Sequence, residues 1–190
     1  MSQQQQKYTW VPMTTNHLTT VLDIADVCYP DYPEEMAIFE DKLSKFPAGC
    51  FVLQAQPSES GATGGEIVGY AFSHPWYHSS APSLNKVLPN EVSTLTPTTN
   101  PNAMYYLHDC AIHPKARGTG GPTTLVPMLD QIAVASNFPY IALIAVNNSQ
   151  AFWEKQGFQV VDKLPAALKK TLISYSDDAL YMVRSLSARL

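Results

Sequence analysis

The chain has almost none of the features that would announce a scaffold, a membrane anchor or a nucleic-acid surface. Its three cysteines, Cys28, Cys50 and Cys110, are odd in number and widely spaced, and no CxxC pair occurs. That excludes a disulfide framework and a cysteine-based zinc site, and no metal is expected. Charged residues make up only 15% of the chain and net charge is −4, so the global positive field that gathers nucleic acid is absent. No apolar run approaches membrane-spanning length. The opening Met1 to Lys7 is a short Gln run with no apolar centre, unlike a secretory leader. Internal repeats are lacking. The expectation is a soluble, cytoplasmic protein with no nucleic-acid or membrane partner.

What is present suits one globular domain over residues 1–190. The length supports a hydrophobic core, and 45% of residues are apolar. Lys7 to Met13 reads as a first strand. Leu18, Val21, Leu22, Ala25 and Val27 repeat at helical spacing behind the capping residues Thr14, Thr15 and Asn16. Pro30 and Pro33 break that helix. Glu34 to Lys45 reads as a second helix, with Pro33 in its first turn. Gly49–Gln56 and Glu66–His74 read as a hairpin around a Gly/Ser-rich turn.

Pro75 to Asn102 is rich in Pro, Ser, Thr and Asn and is too long for an ordinary connection. It marks an insert, residues 76–103 of the domain. Met104–Ile112 reads as a strand, Pro122–Ser136 as a helix, and Tyr140–Val146 as a buried strand. A short helix over Ser149–Gln156 and strands over Phe158–Leu164 and Ala179–Leu186 complete an α/β layered domain.

The segment His113-Pro114-Lys115-Ala116-Arg117-Gly118-Thr119-Gly120-Gly121-Pro122 carries the most information. It leaves a strand and opens a helix. Glycines let backbone N–H groups approach an anion, the helix N-terminus adds free donors, and Lys115 and Arg117 add positive charge. A diphosphate needs this combination. The segment is not a Walker loop, since no Gly-Lys-Ser/Thr ends it, and its glycines do not fit GxGxxG. A plain Gly-rich turn with solvated cations is the competing reading.

These residues resemble the signature of the GNAT superfamily of acyl-CoA-dependent N-acyltransferases. The turn Arg117 to Pro122 matches Arg/Gln-x-x-Gly-x-Gly/Ala, behind a strand ending Cys110-Ala111-Ile112-His113-Pro114. A second landmark follows at typical separation: Val146-Asn147-Asn148-Ser149, then Phe152-Trp153 and Gly157-Phe158. The resemblance covers most of the chain apart from the insert. It implies a mixed, mostly antiparallel central sheet with splayed fourth and fifth strands, flanked by helices.

The resemblance also implies acetyl-CoA as donor and a small-molecule amine as acceptor; a homodimer is compatible with it. The backbone of Cys110, Ala111 and Ile112 would pair with the pantetheine arm, and one N–H there would polarise the thioester carbonyl. The N–H groups of Arg117, Gly118, Thr119, Gly120 and Gly121 would hold the pyrophosphate, with Asn148 on pantetheine and Asn147 close behind. Two positions depart from the family pattern. Pro122, as the last small residue, has no N–H to give. Trp153 takes the cofactor-side slot where the usual tyrosine acid stands, and an indole cannot serve as that acid. Pro127 should kink or loosen its helix.

An alkylamine is unprotonated only about once in a thousand molecules at neutral pH, so a base helps. Asp109 and His108 are the candidates, with Asp109 slightly preferred. As neighbours on a regular strand they face opposite sides, and only a bulge would bring both to one cleft. Ser149 is a candidate donor to the departing sulfur, against the simpler reading of a helix cap. Candidate acceptor contacts are Tyr29 and Tyr32 between the first helices, and His74, Trp76 and His78 at the mouth of the insert. A non-catalytic CoA-binding protein and a peptide acetyltransferase are the competing functions.

Overall fold

The computed structural model describes residues 8–56 and 65–186; Met1–Lys7 and most of the Gly/Ser-rich turn after Gln56 lie outside the described residues. Seven strands form one sheet: β1 (Tyr8–Pro12), β2 (Cys50–Ala55), β3 (Ile67–Tyr77), β4 (Ala103–Ile112), β5 (Tyr140–Ala145), β6 (Gln159–Val160) and β7 (Leu180–Ser185). Their order across the sheet is β1-β2-β3-β4-β5-β7-β6. Every neighbouring pair is antiparallel except β4 and β5. The helices are α1 (Leu18–Cys28), α2 (Met36–Lys45), α3 (Gly121–Ala135), α4 (Gln150–Lys155) and α5 (Ala166–Tyr175).

Side-chain alternation sorts the sheet into two packed faces. On one face Trp10, Leu53, Tyr105 and Leu107 pack with Leu125 and Leu129 of α3 and Trp153 of α4. On the other, Val52, Tyr70 and Phe72 pack under Val21 and Ile24 of α1 and Phe39 and Leu43 of α2. Farther along that second face, Trp76, Met104, Tyr106 and Tyr181 meet Leu88 and Val92 of the insert and Leu168 and Leu172 of α5.

The α/β class, the sheet type and the positions of most elements agree with the sequence reading. Four details differ. First, α2 starts at Met36 with Glu35 as its cap, so Pro33 stands before the helix. Second, β3 runs on to Tyr77, because Pro75 and Trp76 pair with Tyr105 and Met104. Third, α3 begins at Gly121 rather than Pro122 and runs through Pro127 to Ala135; the packing of Leu125, Leu129 and Ala133 holds the turn whose hydrogen bond proline deletes. Fourth, Phe158–Leu164 pairs only at Gln159 and Val160, and α5 follows where no element was read.

The insert is folded onto the domain. Asp41 Oδ2 accepts from Leu88 N at 2.7 Å, and the Tyr175 hydroxyl donates to Pro82 O at 2.8 Å. Asn85 N donates to Glu34 Oε1 at 3.2 Å, and Asn85 Oδ1 accepts from Glu35 N at 3.3 Å. Among the described residues no helix is long and apolar enough to cross a membrane, and no group of three or more His, Cys, Asp or Glu residues could hold a metal ion.

Candidate active site

The site begins where β4 and β5 part. They pair only at Tyr105–Ile141, Tyr106–Ala142 and Leu107–Leu143. Beyond Leu107 and Leu143 a cleft of about 280 Å³ opens. β4 forms one wall from Leu107 to Ile112. Leu143, Ile144, Val146, Asn147, Ser149, Phe152 and Trp153 form the other. Cys28, Tyr29, Tyr32 and Glu34 enter from the α1–α2 side, Leu84 from the insert, and Tyr175 and Ser176 from the end of α5.

A bulge puts both proton-transfer candidates in this cleft. β3 and β4 slip register so that Phe72 faces Asp109 while Ser73 faces Leu107. His108 is the extra residue, and side-chain alternation changes phase there. Tyr106 and His108 lie on the sheet face shared with His74; after the bulge, Asp109 and Ala111 lie on that same face, against Tyr70 and α1. A regular strand would have sent one of the pair into the opposite layer.

Tyr70 donates to Asp109 Oδ2 at 2.7 Å. Burial pushes the Asp109 carboxyl up to about 6; Lys42 pulls it down, Glu34 pushes it up, and the tyrosine hydrogen bonds pull it down. Lys42 is itself buried and paired to Glu34 at 2.7 Å. His108 stays neutral, because burial, reinforced by Lys42 and His74, lowers its pKa well below the usual histidine range. Its Nδ1 meets His74 Nε2 at 2.9 Å, while its Nε2 is buried without a partner among the described residues.

The glycine turn borders the cleft with left-handed backbone and unpaired N–H groups. Gly118 and Gly120 have φ of 77° and 82°, and a Cβ on either would meet open space. Among the described residues, the N–H groups of Gly118, Thr119, Gly120 and Gly121 have no partner. Gly121 is different: a Cβ there would stand 2.7 Å from Leu53 Cδ2, so it is a packing glycine, and its carbonyl accepts from the Trp10 indole at 2.8 Å. Arg117 and Pro122 line the cleft, and Arg117 Nε donates to Ile112 O at 3.4 Å.

Several expected positions fall elsewhere. Asn147 lines the cleft; Asn148 lies in a separate surface recess, and its N–H donates to Asp178 Oδ2 at 2.6 Å. Both asparagines have left-handed backbone, which turns successive side chains apart. Tyr29 and Tyr32 reach the cleft, but His74 and Trp76 are buried behind β4, and His78 packs on Tyr140. Ser149 precedes α4 without a side-chain cap bond and faces the cleft. Trp153 is only 8% exposed and is wedged edge-on against Phe152 and Phe158. Burial raises the Cys110 thiol far above its ordinary range, so Cys110 is a poor acyl carrier.

Tyr175 lines the cleft and Tyr70 bonds Asp109, and neither is among the residues the sequence singles out. Tyr175 had a visible signal, since Leu168, Leu172 and Tyr175 follow Pro165 at helical spacing. Tyr70 had none, because its role depends on its pairing with β4.

The chain belongs to the GNAT acetyltransferase family: the model of the Acetyltransferase (GNAT) family matches residues 18–158. No curated protein sequence matches it. Among solved structures it is similar to Ard1 from Thermoplasma volcanium, at 17% identity and TM-score 0.62 over 94% of this chain and 97% of that one. It is also similar to Chaetomium thermophilum Naa20 in complex with a bisubstrate analogue, at 17% identity and TM-score 0.59 over 94% of this chain and 86% of that one. A GNAT-like decarboxylase, GphF, in complex with isobutyryl-CoA, is 14% identical with TM-score 0.63 over 95% and 99%. At such identities these structures establish a shared fold.

Proposed function

We propose that the chain is an N-acetyltransferase that carries an acetyl group from acetyl-CoA to a primary amine of a small molecule. The observation that carries the reading is the bulge at His108, which brings His108 and the carboxyl of Asp109, raised to about 6, side by side into the lining of the β4–β5 cleft.

The residues present fit acetyl-CoA. The unpartnered N–H groups of Gly118 to Gly121 suit its pyrophosphate, and beyond Leu107 β4 has no strand partner on the β5 side among the described residues, although Cys110 O accepts from the Tyr29 hydroxyl at 3.2 Å and Ile112 O from Arg117 Nε at 3.4 Å. Bound there, acetyl-CoA supplies an activated acyl carbon. A β4 N–H at Cys110, Ala111 or Ile112 stabilises the charge that grows on the carbonyl oxygen. The neutral His108 ring walls the cleft beside Asp109. Asp109 takes the proton that the nitrogen loses as the C–N bond forms, and gives it to the departing sulfur as the C–S bond breaks. Because Tyr29 and Tyr175 have phenols raised above their ordinary range, chiefly by burial, neither is a ready acid for a thiolate. Ser149 is the hydroxyl available to hydrogen-bond the sulfur.

The strapped insert supports a small acceptor. Pro82 is tied to Tyr175 and Asn85 to Glu34, so the acceptor side is bridged where a polypeptide would need an open groove. The competing reading, acetylation of a peptide N-terminus, draws on neighbours such as Naa20 with its bisubstrate analogue. Calorimetric titration with acetyl-CoA, then a transfer assay on a panel of small amines beside short peptides, separates them. Micromolar binding and transfer to small amines supports the proposal. Transfer confined to peptides moves the acceptor to a polypeptide, and no binding at millimolar acetyl-CoA sinks the enzyme.

A further inference from the structure

Three of the four buried polar side-chain atoms that lack a partner among the described residues are Trp76 Nε1, Tyr106 Oη and His108 Nε2. All three sit in one cluster of rings around His74. Its centroid is 5.6 Å from Trp76, 5.9 Å from Tyr106 and 5.2 Å from His108. His74 is fully buried and outside the cleft.

The hydrogen bonds of this cluster settle where the protons lie. His74 Nδ1 is 2.8 Å from Pro75 O, and a carbonyl oxygen only accepts. The proton of His74 is therefore on Nδ1. Burial lowers the His74 pKa to about 4, so the ring is neutral and its Nε2 is a bare lone pair. That lone pair lies 2.9 Å from His108 Nδ1, which must donate. The ring of His108 is also neutral, so its Nε2 in turn has no proton. A backbone carbonyl on β3 thus dictates, through two rings, which nitrogen of His108 is basic.

We propose that His74 is a positioning residue: it holds His108 as the Nδ1–H tautomer and fixes its ring at the cleft wall beside Asp109. Its role in transfer rests on the acetyltransferase reading, but the proton assignment does not. The tight ring cluster explains why the geometry holds. Trp76 and Tyr106 abut His74 on the buried side, and the bulge turns His108 so that one nitrogen meets His74 while the residue still lines the cleft. An Nε2–H tautomer would set two lone pairs against each other between the rings.

Long-range 1H–15N spectra of the labelled full-length protein near neutral pH test this without substrate. The expected result is a protonated Nδ1 and a bare Nε2 for both His74 and His108. His74→Gln offers an amide that can donate to Pro75 O and accept from His108, so it should keep the His108 tautomer and most of kcat. His74→Phe removes the acceptor; it should lose the tautomer preference and lower kcat by at least about tenfold, with KM for acetyl-CoA unchanged. A proton on His108 Nε2 in the wild-type protein overturns the proposal. So does a His74→Phe protein that keeps both tautomer and kcat. If the wild-type protein transfers acetyl to no amine, the acetyltransferase reading fails, and the spectra still report on the proton assignment.

Discussion

Tyr70 reaches across from β3 to donate its hydroxyl to Asp109 Oδ2 at 2.7 Å, from beneath the α1–α2 layer. The phenol favours the ionised carboxylate against the burial that opposes it. Tyr70→Phe should therefore raise the Asp109 pKa above about 6 and move the acidic limb of the kcat/KM profile to higher pH. Loss of a hydrogen bond to a charged group sets the scale at about 1.5–3 kcal/mol. A pH–rate series on the variant checks it, and an unmoved limb would remove Asp109 as the titrating base.

Asp109 should trade stability for activity. Its pKa is raised from 3.8 to about 6 in the folded chain, so folding holds this proton more tightly than the unfolded chain does. The associated stability is present below about pH 4 and lost as pH rises through about 6. Asp109→Asn should then gain up to about 3 kcal/mol at neutral pH and nothing near pH 3. Its kcat should fall by about 10²–10⁴. Denaturant melts at both pH values and one kinetic series decide the matter.

The buried histidine has the opposite sign. Its pKa is lowered to about 4, chiefly by burial, so the unfolded chain takes up a proton that the folded one refuses. Stability from His74 is complete above about pH 6.5 and drains away as pH falls towards 4. His74→Gln should flatten the acid side of the melting-temperature profile, and Asp109→Asn should steepen it. Thermal melts across that range test both.

Gly120→Val should cost affinity more than stability. The residue has φ of 82° and no protein atom near its missing Cβ. Strain of about 1–2 kcal/mol is expected from the left-handed backbone. The new side chain would intrude on the side from which a pyrophosphate approaches. Calorimetry should show acetyl-CoA affinity falling by at least about tenfold, worth ~1.4 kcal/mol. Unchanged affinity would place the diphosphate elsewhere.

Tyr175→Phe should loosen the strap and leave the chemistry alone. It deletes the bond to Pro82 O, worth about 1 kcal/mol. KM for the amine should rise about fivefold at constant kcat, since 1.4 kcal/mol is a factor of about ten. A collapse of kcat instead would make Tyr175 an acid. Trp153→Phe, by contrast, should lower stability by about 1–3 kcal/mol with kcat nearly intact, because the indole is packed and is not a proton donor here.

Much of the site was legible because it is local. The segment from His113 to Pro122 carries its glycines, cations and helix start in ten consecutive residues. Asn147 to Trp153 behaves similarly, although choosing between Asn147 and Asn148 required backbone angles that two adjacent asparagines do not reveal. His74, Trp76 and His78 were read as acceptor contacts because they open the insert. β3 instead extends through His74 and Trp76 to Tyr77, so those two become buried backing, and His78 just past its end makes a surface ring contact with Tyr140. The α5 helix was missed although Leu168, Leu172 and Tyr175 mark its buried face.

The sequence alone determined the α/β class, the order of most elements, the glycine-rich strand-to-helix turn and the strand that carries His108 and Asp109. These follow from periodicity, from the backbone freedom of glycine and from the blocked N–H of proline, all properties of neighbouring residues. Tertiary structure alone decided that both side chains share one cleft, that His74 tells His108 which nitrogen bears the proton, and that Tyr70 holds Asp109. A bulge is a mismatch between two strands, a tautomer is set by a partner 34 positions away, and a carboxyl's acidity is set by what buries it. No spacing along one strand encodes any of the three.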